Sequence, residues 1–416
     1  DYCKVQNGDF ADLRLVPDAG ALTDRGPRGD LGRGMHENIV ALRGVGSRVL
    51  AREPMLLDAV ILPAVTLAGG PSIRVRASTS CSVCGSSGEV LYSGLDDVLF
   101  GAPGEWTLKR CANQACGLLW LDPQPIEEDV GKAYATYYTH QGAAAGTSLP
   151  KRIFRQTRAS YLRSTLGYER ATSTRGWRWL APLGHVHPGG AQAFAATVMF
   201  LPAPEGGASL LDVGCGGGDF IAAMRELGWK VSGVETDPVA VERARGRTLD
   251  VHLGDLESAA FDDVSFDAVT LAHVIEHVHD PQRLLAECRR ILKPDGMLAL
   301  TTPNSSSWGH RHFGRDWRGL EPPRHIHIFN SKNIRHLLES AGLQPIRVAT
   351  LAINASAIWP ASAAIRGKRS ASTGGSEGVV LKTTRSGVAR QVAERLMLSV
   401  DPSAGEDVLA IATRSA

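Results

Sequence analysis

The sequence has 416 residues, of which 43% are hydrophobic, and a formal net charge of +2 at pH 7. A chain of this length usually forms two or three domains, and its hydrophobic content supports at least one large core. The near-neutral charge argues against a dedicated nucleic-acid binder. The longest apolar run, residues 55–68, contains Asp58 and Pro63 and is too short to span a bilayer. No signal segment opens the sequence, so we expect a cytoplasmic location and no membrane association.

The first 78 residues differ in composition from the rest of the chain. They contain Gly- and Arg-rich stretches, such as residues 25–34, and no pattern typical of catalysis or cofactor binding. This composition predicts an irregular or poorly ordered N-terminal extension over residues 1–78.

Two short-spaced cysteine pairs follow this extension. Cys81 and Cys84 are separated by two residues, Cys111 and Cys116 by four, and a glycine follows each pair. The spacing matches a zinc ribbon, and four thiolate ligands predict a structural rather than a catalytic Zn²⁺. A reduced or disulfide-linked loop is the alternative. We therefore predict a small zinc-ribbon domain over residues 79–125.

A helical connector or cap is predicted next, over residues 126–205. Lysine and arginine recur along residues 151–158. This pattern indicates a solvated helix face, or a cover over a cofactor cleft, in preference to a nucleic-acid surface.

Residues 210–220 are the most informative stretch of the chain. An apolar run ends at Asp212, and Gly214, Gly216 and Gly218 then open a predicted helix. In an open α/β sheet, such a strand-to-helix turn is where an adenosine-bearing cofactor lies. The third glycine of a dinucleotide fingerprint would fall at position 219, which is an aspartate. This departure argues against a nicotinamide site.

Acidic residues end the next two predicted strands. Glu235 is placed to accept hydrogen bonds from both ribose hydroxyls of a cofactor, and Asp255 ends the following strand. Together with the glycine turn, these residues resemble motif I and the acidic strand ends of class I S-adenosylmethionine-dependent methyltransferases. In that family an acid at the Asp255 position contacts the adenine amino group. The resemblance implies a cofactor site made of Asp212, Gly214, Cys215, Gly216, Gly218, Glu235, Thr236, Asp255, Leu256 and His273.

The order of the predicted elements sets the fold class. Five strands with helices between them are predicted between residues 209 and 304, and residues 343–351 and 406–413 supply two more. We predict an α/β, Rossmann-like seven-stranded sheet, mostly parallel with an antiparallel last strand, in a methyltransferase domain over residues 206–416. A Gly-, Ser- and Thr-rich insertion at about residues 367–387 predicts a mobile loop. The chain also resembles bacterial methyltransferases that carry an N-terminal zinc ribbon.

Histidines are concentrated after the fourth and fifth strands of this sheet, where the acceptor of the methyl group should bind. A hydroxyl or an acidic carbon must lose a proton when it is methylated, and histidine titrates near neutral pH. We predict His277 as the general base and His325 as the second choice, with His273 and His327 as further candidates.

The segment from residue 317 to residue 329 is the predicted acceptor site. Trp317 would stack on a ring, and Arg318 or Arg324 would hold an anionic group. His325 and His327 alternate, so in an extended segment both would point to one side. That geometry suits a base, or a metal site completed by Glu276 or His277. The alternative is a packed lid whose histidines satisfy backbone groups.

These patterns favour transfer of a methyl group from S-adenosylmethionine to the oxygen or carbon of a small-molecule acceptor, such as a sugar or a secondary metabolite. The resemblance to ribbon-bearing methyltransferases implies this substrate class. Two alternatives stay open. A zinc-ribbon methyltransferase of RNA or tRNA would need a strongly basic face. A NAD-dependent oxidoreductase would need the missing third glycine. The identity of the acceptor and the oligomeric state do not follow from the sequence.

Overall fold

The computed structural model of the chain describes residues 61–65, 72–134, 149–171, 189–370 and 385–414. Most of the predicted N-terminal extension lies outside these residues. Its described parts contain two strands, β1 (Ile61–Val65) and β2 (Ile73–Arg76), which pair in antiparallel fashion. These two segments are strands, and the prediction of an irregular or poorly ordered extension stays a prediction for the remainder.

The cysteine-containing region forms a small antiparallel sheet. Strands β3 (Gly88–Leu95), β4 (Trp106–Cys111) and β5 (Leu119–Leu121) pair in succession. Strand β6 (Gln124–Pro125) turns away and pairs with β2. The first cysteine pair lies in the turn before β3, and the second pair begins at Cys111, the last residue of β4, and ends in the turn before β5.

The main sheet contains the strands β7 (Ser209–Val213), β8 (Lys230–Glu235), β9 (Asp250–Leu253), β10 (Phe266–Ala272), β11 (Leu292–Pro303), β13 (Leu343–Leu351) and β14 (Asp407–Arg414). Their order in the described residues is β13–β14–β11–β10–β7–β8–β9. The five strands from β7 to β11 pair in parallel, and β14 is antiparallel to both β11 and β13. The predicted seven-stranded α/β sheet with an antiparallel last strand is confirmed.

Three of the helices in the described residues precede the main sheet along the chain, and seven follow its first strand. They are α1 (Glu127–Val130), α2 (Leu149–Leu166), α3 (Gly190–Ala196), α4 (Asp219–Glu226), α5 (Pro238–Arg245), α6 (Pro281–Ile291), α7 (Trp308–Phe313), α8 (Ser331–Ser340), α9 (Ala355–Ser370) and α10 (Arg385–Met397). Asp237 and Asp280 cap α5 and α6 through their side chains, with proline at the first helical position. Among the helices of the described residues, none combines the length and apolar character needed to cross a membrane.

The predicted mobile insertion is shorter than expected. Helix α9 continues to Ser370 and α10 begins at Arg385, so both ends of the 367–387 segment are helical. Trp359 in α9 donates a hydrogen bond to Glu394 in α10 across a buried contact of 3.0 Å. The middle of the predicted loop, residues 371–384, lies outside the described residues.

One strand joins the cysteine-containing sheet to the segment that follows β11. Strand β12 (His327–Ile328) pairs with β5, with His327 opposite Trp120 and Ile328 opposite Leu119. The order of this sheet is β12–β5–β4–β3. The sequence pattern did not predict this pairing, since it joins segments about 200 residues apart along the chain.

Candidate functional site

The glycine turn between β7 and α4 adopts backbone angles that favour glycine. Gly214, Gly216 and Gly218 have φ angles of 69°, 53° and 79°, which lie in the left-handed region. Gly218 also lies so close to α5 and to the residues after it that an added Cβ atom would be 2.4 Å from Leu249 Cδ1. The turn therefore requires glycine both for its conformation and for its packing.

Glu235 ends β8 next to this turn. Its Oε2 accepts a hydrogen bond from the Gly216 N–H at 2.7 Å, and its Oε1 accepts from the N–H groups of Thr236 and Asp237 at 2.8 and 2.9 Å. The carboxylate is thus held against the glycine turn by backbone donors. This is the place where the sequence predicts the ribose of the cofactor.

Asp212 and Cys215 support the turn from the protein interior. Asp212 is fully buried and accepts a hydrogen bond from Thr270 Oγ1 at 2.8 Å. Cys215 is also fully buried, and a Cβ atom on Gly233 would lie 2.5 Å from its sulfur. Both side chains are buried and support the turn. At these two positions, a cofactor would therefore contact backbone atoms.

Asp255 and Leu256 follow β9 at the same edge of the sheet. Asp255 is exposed, and Ser258 donates a backbone hydrogen bond to its Oδ1 at 2.7 Å. This bond lowers the pKa of the Asp255 carboxyl from its usual value. Leu256 is buried. Because β8 and β9 are neighbours, Glu235 and Asp255 end adjacent strands, as the cofactor-site prediction requires.

His273 ends β10 in a conformation that non-glycine residues rarely adopt. Its φ angle is 56°, and single residues in such conformations cost about 1–3 kcal/mol. Its Nδ1 lies 3.0 Å from Glu276 Oε1, and its Nε2 lies 3.7 Å from Asp407 Oδ1. The imidazole is therefore held between two buried carboxylates, at the sheet edge that carries the glycine turn.

The contacts of His277 favour one tautomer. Its Nδ1 lies 2.9 Å from the carbonyl oxygen of Arg324 and 3.1 Å from the Tyr134 hydroxyl. The carbonyl can only accept, so the shorter contact places the proton on Nδ1 and the lone pair on Nε2, whereas the hydroxyl can donate or accept. Burial lowers the pKa of His277 from its usual 6.5. Because the pKa of His277 lies below 6.5, the imidazole is neutral at pH 7. The side chain is only partly buried.

Glu276, His277 and His325 form a cluster that could hold a metal ion. One potential ligand atom of each lies within 4.8 Å of the others. His325 Nδ1 lies 2.8 Å from the Gly319 carbonyl, which places the lone pair on Nε2, and this Nε2 lies 3.6 Å from Glu321 Oε2. Glu276 is fully buried, and its Oε2 has no hydrogen-bond partner among the described residues. A backbone carbonyl that fixes the ligand tautomer is typical of metal-binding histidines.

His327 belongs to a different environment from His325. Its Nε2 lies 3.1 Å from Ser82 Oγ in the cysteine-containing region, and its Nδ1 lies 3.1 Å from the Val278 carbonyl. The two imidazoles therefore do not form the pair predicted from their alternation, because His325 precedes the two-residue strand β12. Burial lowers the pKa of His327 to about 4. With 1% of its surface exposed, His327 links two elements and cannot meet an acceptor.

The three residues predicted to contact the acceptor are buried and engaged. Trp317 is 1% exposed and donates to Glu406 Oε2 at 2.7 Å. Arg318 and Arg324 both pair with Glu321, and Arg324 also binds Asp97 Oδ2 at 2.8 Å. The assignment of these side chains to an acceptor pocket is therefore corrected: interior carboxylates already compensate both guanidinium charges.

The packed-lid alternative describes this segment well. Five histidines place one ring nitrogen on a backbone carbonyl, at 2.6–3.1 Å: His277, His279, His310, His325 and His327. These bonds order the chain between β10 and α8. The same packing leaves potential ligand atoms of His277, His325 and Glu276 within 4.8 Å of one another.

A cluster of buried acids near His273 escaped the sequence prediction. Burial raises the pKa of Glu394 to about 10, of Glu406 to about 7 and of Asp407 to about 6. Asp407 begins β14, which runs antiparallel to β11 and so starts at the edge where the parallel strands end. The adjacent acids 406 and 407 at the start of the last predicted strand were the available signal.

The four cysteines predicted to bind zinc come together. The Sγ atoms of Cys81 and Cys116 are 3.7 Å apart, those of Cys84 and Cys111 are 3.4 Å apart, and all four lie within 4.8 Å of one another. Tetrahedral Zn²⁺ with bonds of about 2.3 Å places sulfur atoms about 3.8 Å apart. The thiol of Cys116 lowers the pKa of Cys81 to about 5. All four are free thiols, so this donor set fits a structural Zn²⁺, and the disulfide alternative is not observed.

Comparison with known proteins agrees with this geometry. The family described as "Methyltransferase domain" matches residues 187–348. The ubiquinone biosynthesis O-methyltransferase of Cereibacter sphaeroides is 33% identical over 160 residues, which cover 36% of this chain and 65% of the relative. The enzyme of the same name from Thiobacillus denitrificans is 38% identical over 112 residues, 25% of this chain and 48% of the relative. The matched part of the chain thus spans less than two thirds of either relative.

Two solved structures are also similar. The geranyl diphosphate C-methyltransferase from Streptomyces coelicolor has a TM-score of 0.37 and 19% identity, covering 54% of this chain and 78% of its own. An S-adenosylmethionine-dependent methyltransferase from Mesorhizobium loti has a TM-score of 0.37 and 19% identity, covering 55% of this chain and 100% of its own.

Proposed function

We propose that the chain, whose residues 187–348 match the family described as "Methyltransferase domain", transfers a methyl group from S-adenosylmethionine to a small-molecule acceptor. The observation that carries the proposal is the group of residues at the carboxyl ends of the parallel strands of the main sheet. The glycine turn and the acids Glu235 and Asp255 lie at the ends of β7, β8 and β9, and His273 ends the neighbouring β10. The carboxyl ends of these strands thus offer a cofactor cradle with the imidazole of His273 beside it.

In this proposal, the backbone of the turn from Gly214 to Gly218 approaches the amino-acid end of the cofactor. The oxygens of Glu235 accept hydrogen bonds from backbone N–H groups in this structure. When the cofactor binds, Glu235 exchanges part of these bonds for hydrogen bonds from the ribose hydroxyls. Asp255 accepts from the adenine amino group, and Leu256 packs nearby. Bound S-adenosylmethionine supplies the electrophilic methyl group of its sulfonium.

The acceptor is activated by His277 as general base. Its Nδ1 proton is held by the Arg324 carbonyl, so the Nε2 lone pair is oriented to take a proton from the acceptor. The lowered pKa keeps the imidazole neutral at pH 7. The curated relatives are named O-methyltransferases, and we propose a hydroxyl of a sugar, a phenol or another secondary metabolite as the attacking group.

A divalent metal is the second candidate for acceptor activation. Glu276 carries a buried carboxylate oxygen that has no partner among the described residues, and His277 and His325 direct nitrogen atoms to the same place. A metal ion held by these three residues would lower the pKa of an acceptor hydroxyl. The buried, unpaired oxygen is the observation that favours this candidate.

Binding of the cofactor is tested by thermal unfolding and calorimetry. A ligand at 100 times its Kd stabilises a fold by about 2.7 kcal/mol, which corresponds to a shift in Tm of roughly 5–10 °C for a domain of about 200 residues. We expect this shift with S-adenosylmethionine and with S-adenosylhomocysteine, and no shift with NAD. A response to NAD alone would replace the proposal with the oxidoreductase alternative.

The acceptor is tested by release of S-adenosylhomocysteine in a screen of catechols, other phenols and nucleotide sugars. General-base catalysis predicts turnover that does not depend on added Mg²⁺ or Mn²⁺ and that falls in the His277→Gln variant. Metal activation predicts dependence on the ion and an equal loss in Glu276→Gln. An RNA acceptor would instead show methyl uptake into transfer RNA and salt-sensitive retention on filters.

A further inference from the structure

The cysteine-containing region is built into the segment that carries the candidate catalytic histidines. Strand β12 completes its sheet by pairing with β5. Next to this pair, the Leu121 N–H donates to the Ile326 carbonyl at 3.0 Å. The four cysteines share one hydrophobic core with Phe329 and with residues of the main sheet. The ribbon and the histidine segment therefore form one packed unit.

A chain of side-chain contacts runs between the first cysteine pair and His277. Ser82 lies between Cys81 and Cys84, and its hydroxyl is 3.1 Å from His327 Nε2. The opposite ring nitrogen of His327 is 3.1 Å from the carbonyl oxygen of Val278, the residue after His277. His327 is 1% exposed, so water cannot replace either partner.

The second cysteine pair holds the start of α8. The side-chain amides of Asn330 and Asn333 donate to the Cys116 carbonyl oxygen at 3.0 and 3.2 Å. Asn330 also caps α8, since its Oδ1 accepts from the N–H groups of Lys332 and Asn333. One asparagine thus attaches both the helix and the end of the histidine segment to a cysteine that fits as a metal ligand.

The histidine segment in turn determines where the candidate catalytic groups lie. The Ile326 N–H donates to the backbone carbonyl of Glu276 at 2.9 Å. The Arg324 carbonyl accepts the Nδ1 proton of His277. A shift of residues 324–328 would therefore move Glu276 and rotate the imidazole of His277.

We propose that the four-cysteine centre positions the groups that activate the acceptor, with Ser82, His327 and Asn330 as the positioning residues. Metal bound by the cysteines holds the turns that carry Ser82 and the Cys116 carbonyl, and these contacts order residues 324–330. Among the described residues, the cofactor cradle at β7 and β8 takes no part in these hydrogen bonds, although Leu211, Val213 and Val234 belong to the same hydrophobic core. The role of the segment in acceptor activation rests on the proposed function, whereas the coupling itself does not.

Hydrogen exchange of the full-length, zinc-loaded protein tests the coupling without a known acceptor. Ser82→Ala removes the hydroxyl next to His327, and Ser87→Ala is the matched control because Ser87 is an exposed serine of the same region. We expect exchange in peptides covering residues 324–330 to rise about 2- to 10-fold in Ser82→Ala, the range of one lost hydrogen bond. Zinc content, exchange in residues 209–218 and the Kd for S-adenosylmethionine should stay unchanged.

A second variant tests the other attachment. Asn330→Ser keeps a good helix cap but loses the amide that reaches Cys116, so it should raise exchange in residues 326–330 while the middle of α8 stays protected. Unchanged exchange in both variants would overturn the proposal, whatever the cofactor results show.

Removal of zinc by a chelator gives the strongest perturbation. The proposal predicts that exchange in residues 324–330 rises by more than about tenfold, while S-adenosylmethionine still binds with a Kd within about twofold of the loaded protein. Equal loss of protection in residues 209–218 would make the centre a general stabiliser and would refute a positioning role. If the cofactor fails to bind even to the zinc-loaded protein, the proposed function fails, and the exchange result still decides the coupling.

Discussion

Replacement of Gly218 by alanine is the sharpest test of the cofactor turn. Gly218 has a φ angle of 79° and caps the N-terminus of α4. A Cβ atom at this position would lie 2.4 Å from Leu249 Cδ1 and 3.1 Å from the Ala244 Cβ. Both neighbours are buried, with exposures of 4% and 0%, so neither can move away without disturbing the packing between α4 and α5.

The expected loss of stability has two parts. A left-handed backbone costs a residue with a Cβ atom about 1–2 kcal/mol. Overpacking of a buried contact costs about 1–3 kcal/mol. We therefore expect Gly218→Ala to lower the free energy of unfolding by about 2–5 kcal/mol, which is a large fraction of the stability of a typical domain.

The assay is urea unfolding followed by circular dichroism, with calorimetric titration of S-adenosylmethionine. Gly217→Ala is the matched control, because an added Cβ at Gly217 would meet only the flexible side chain of Arg243, at 3.0 Å. The control should stay within about 1 kcal/mol of the wild type. A Gly218→Ala protein as stable as the control would refute the argument that this turn requires glycine.

Three further predictions follow from the site. Glu235→Gln should raise the Kd for S-adenosylmethionine about 10- to 100-fold by calorimetry, since hydrogen bonds to a charged acceptor are lost; a change below about threefold would contradict the ribose assignment. His277→Gln should lower kcat for the acceptor about 10²- to 10⁴-fold. Because burial lowers the pKa of His277 from 6.5, the kcat/KM of the wild-type protein should fall only below pH 6.5. An acidic limb centred above pH 7 would exclude this base. The pKa of His327 is about 4 in the native state, whereas the unfolded imidazole takes up a proton near pH 6.5. The free energy of unfolding should therefore fall by up to about 3 kcal/mol as the pH falls from 6.5 to 4. In urea titrations at several pH values, His327→Gln should reduce the dependence of the free energy of unfolding on pH, and the control His336→Gln, at an exposed position, should not. An equal pH dependence in the two variants would refute the assignment of this effect to His327.

The strands of the main sheet were predictable because their pattern is local. Strand β10 lies at residues 266–272, where a mostly apolar run of this length indicates a buried parallel strand. Asp237 followed by Pro238 is likewise a local helix-start pattern, and Asp237 caps α5. Strand β11 begins at Leu292, which pairs with Phe266, and regular pairing resumes at Met297 after an irregularity that contains the proline and the glycine.

The acceptor side of the site was less predictable because its contacts are distant in sequence. Trp317, Arg318 and Arg324 have the side chains of a binding pocket, yet their partners determine their role. Asp97 lies 227 positions before Arg324 and Glu406 lies 89 positions after Trp317. A pattern of residue types indicates which chemistry a segment could perform, and it does not show whether an interior partner already occupies each group.

The sequence by itself determined the cofactor class and the four-cysteine site, because both depend on spacings within short segments. A glycine turn bounded by strand-ending acids, and two close cysteine pairs, carry their geometry in the local chain. Only the tertiary structure decided that His327 links the ribbon to the Val278 backbone and that Glu276, His277 and His325 converge. That arrangement arises when β12 pairs with β5, and the pairing of distant segments is set by the packing of the whole domain.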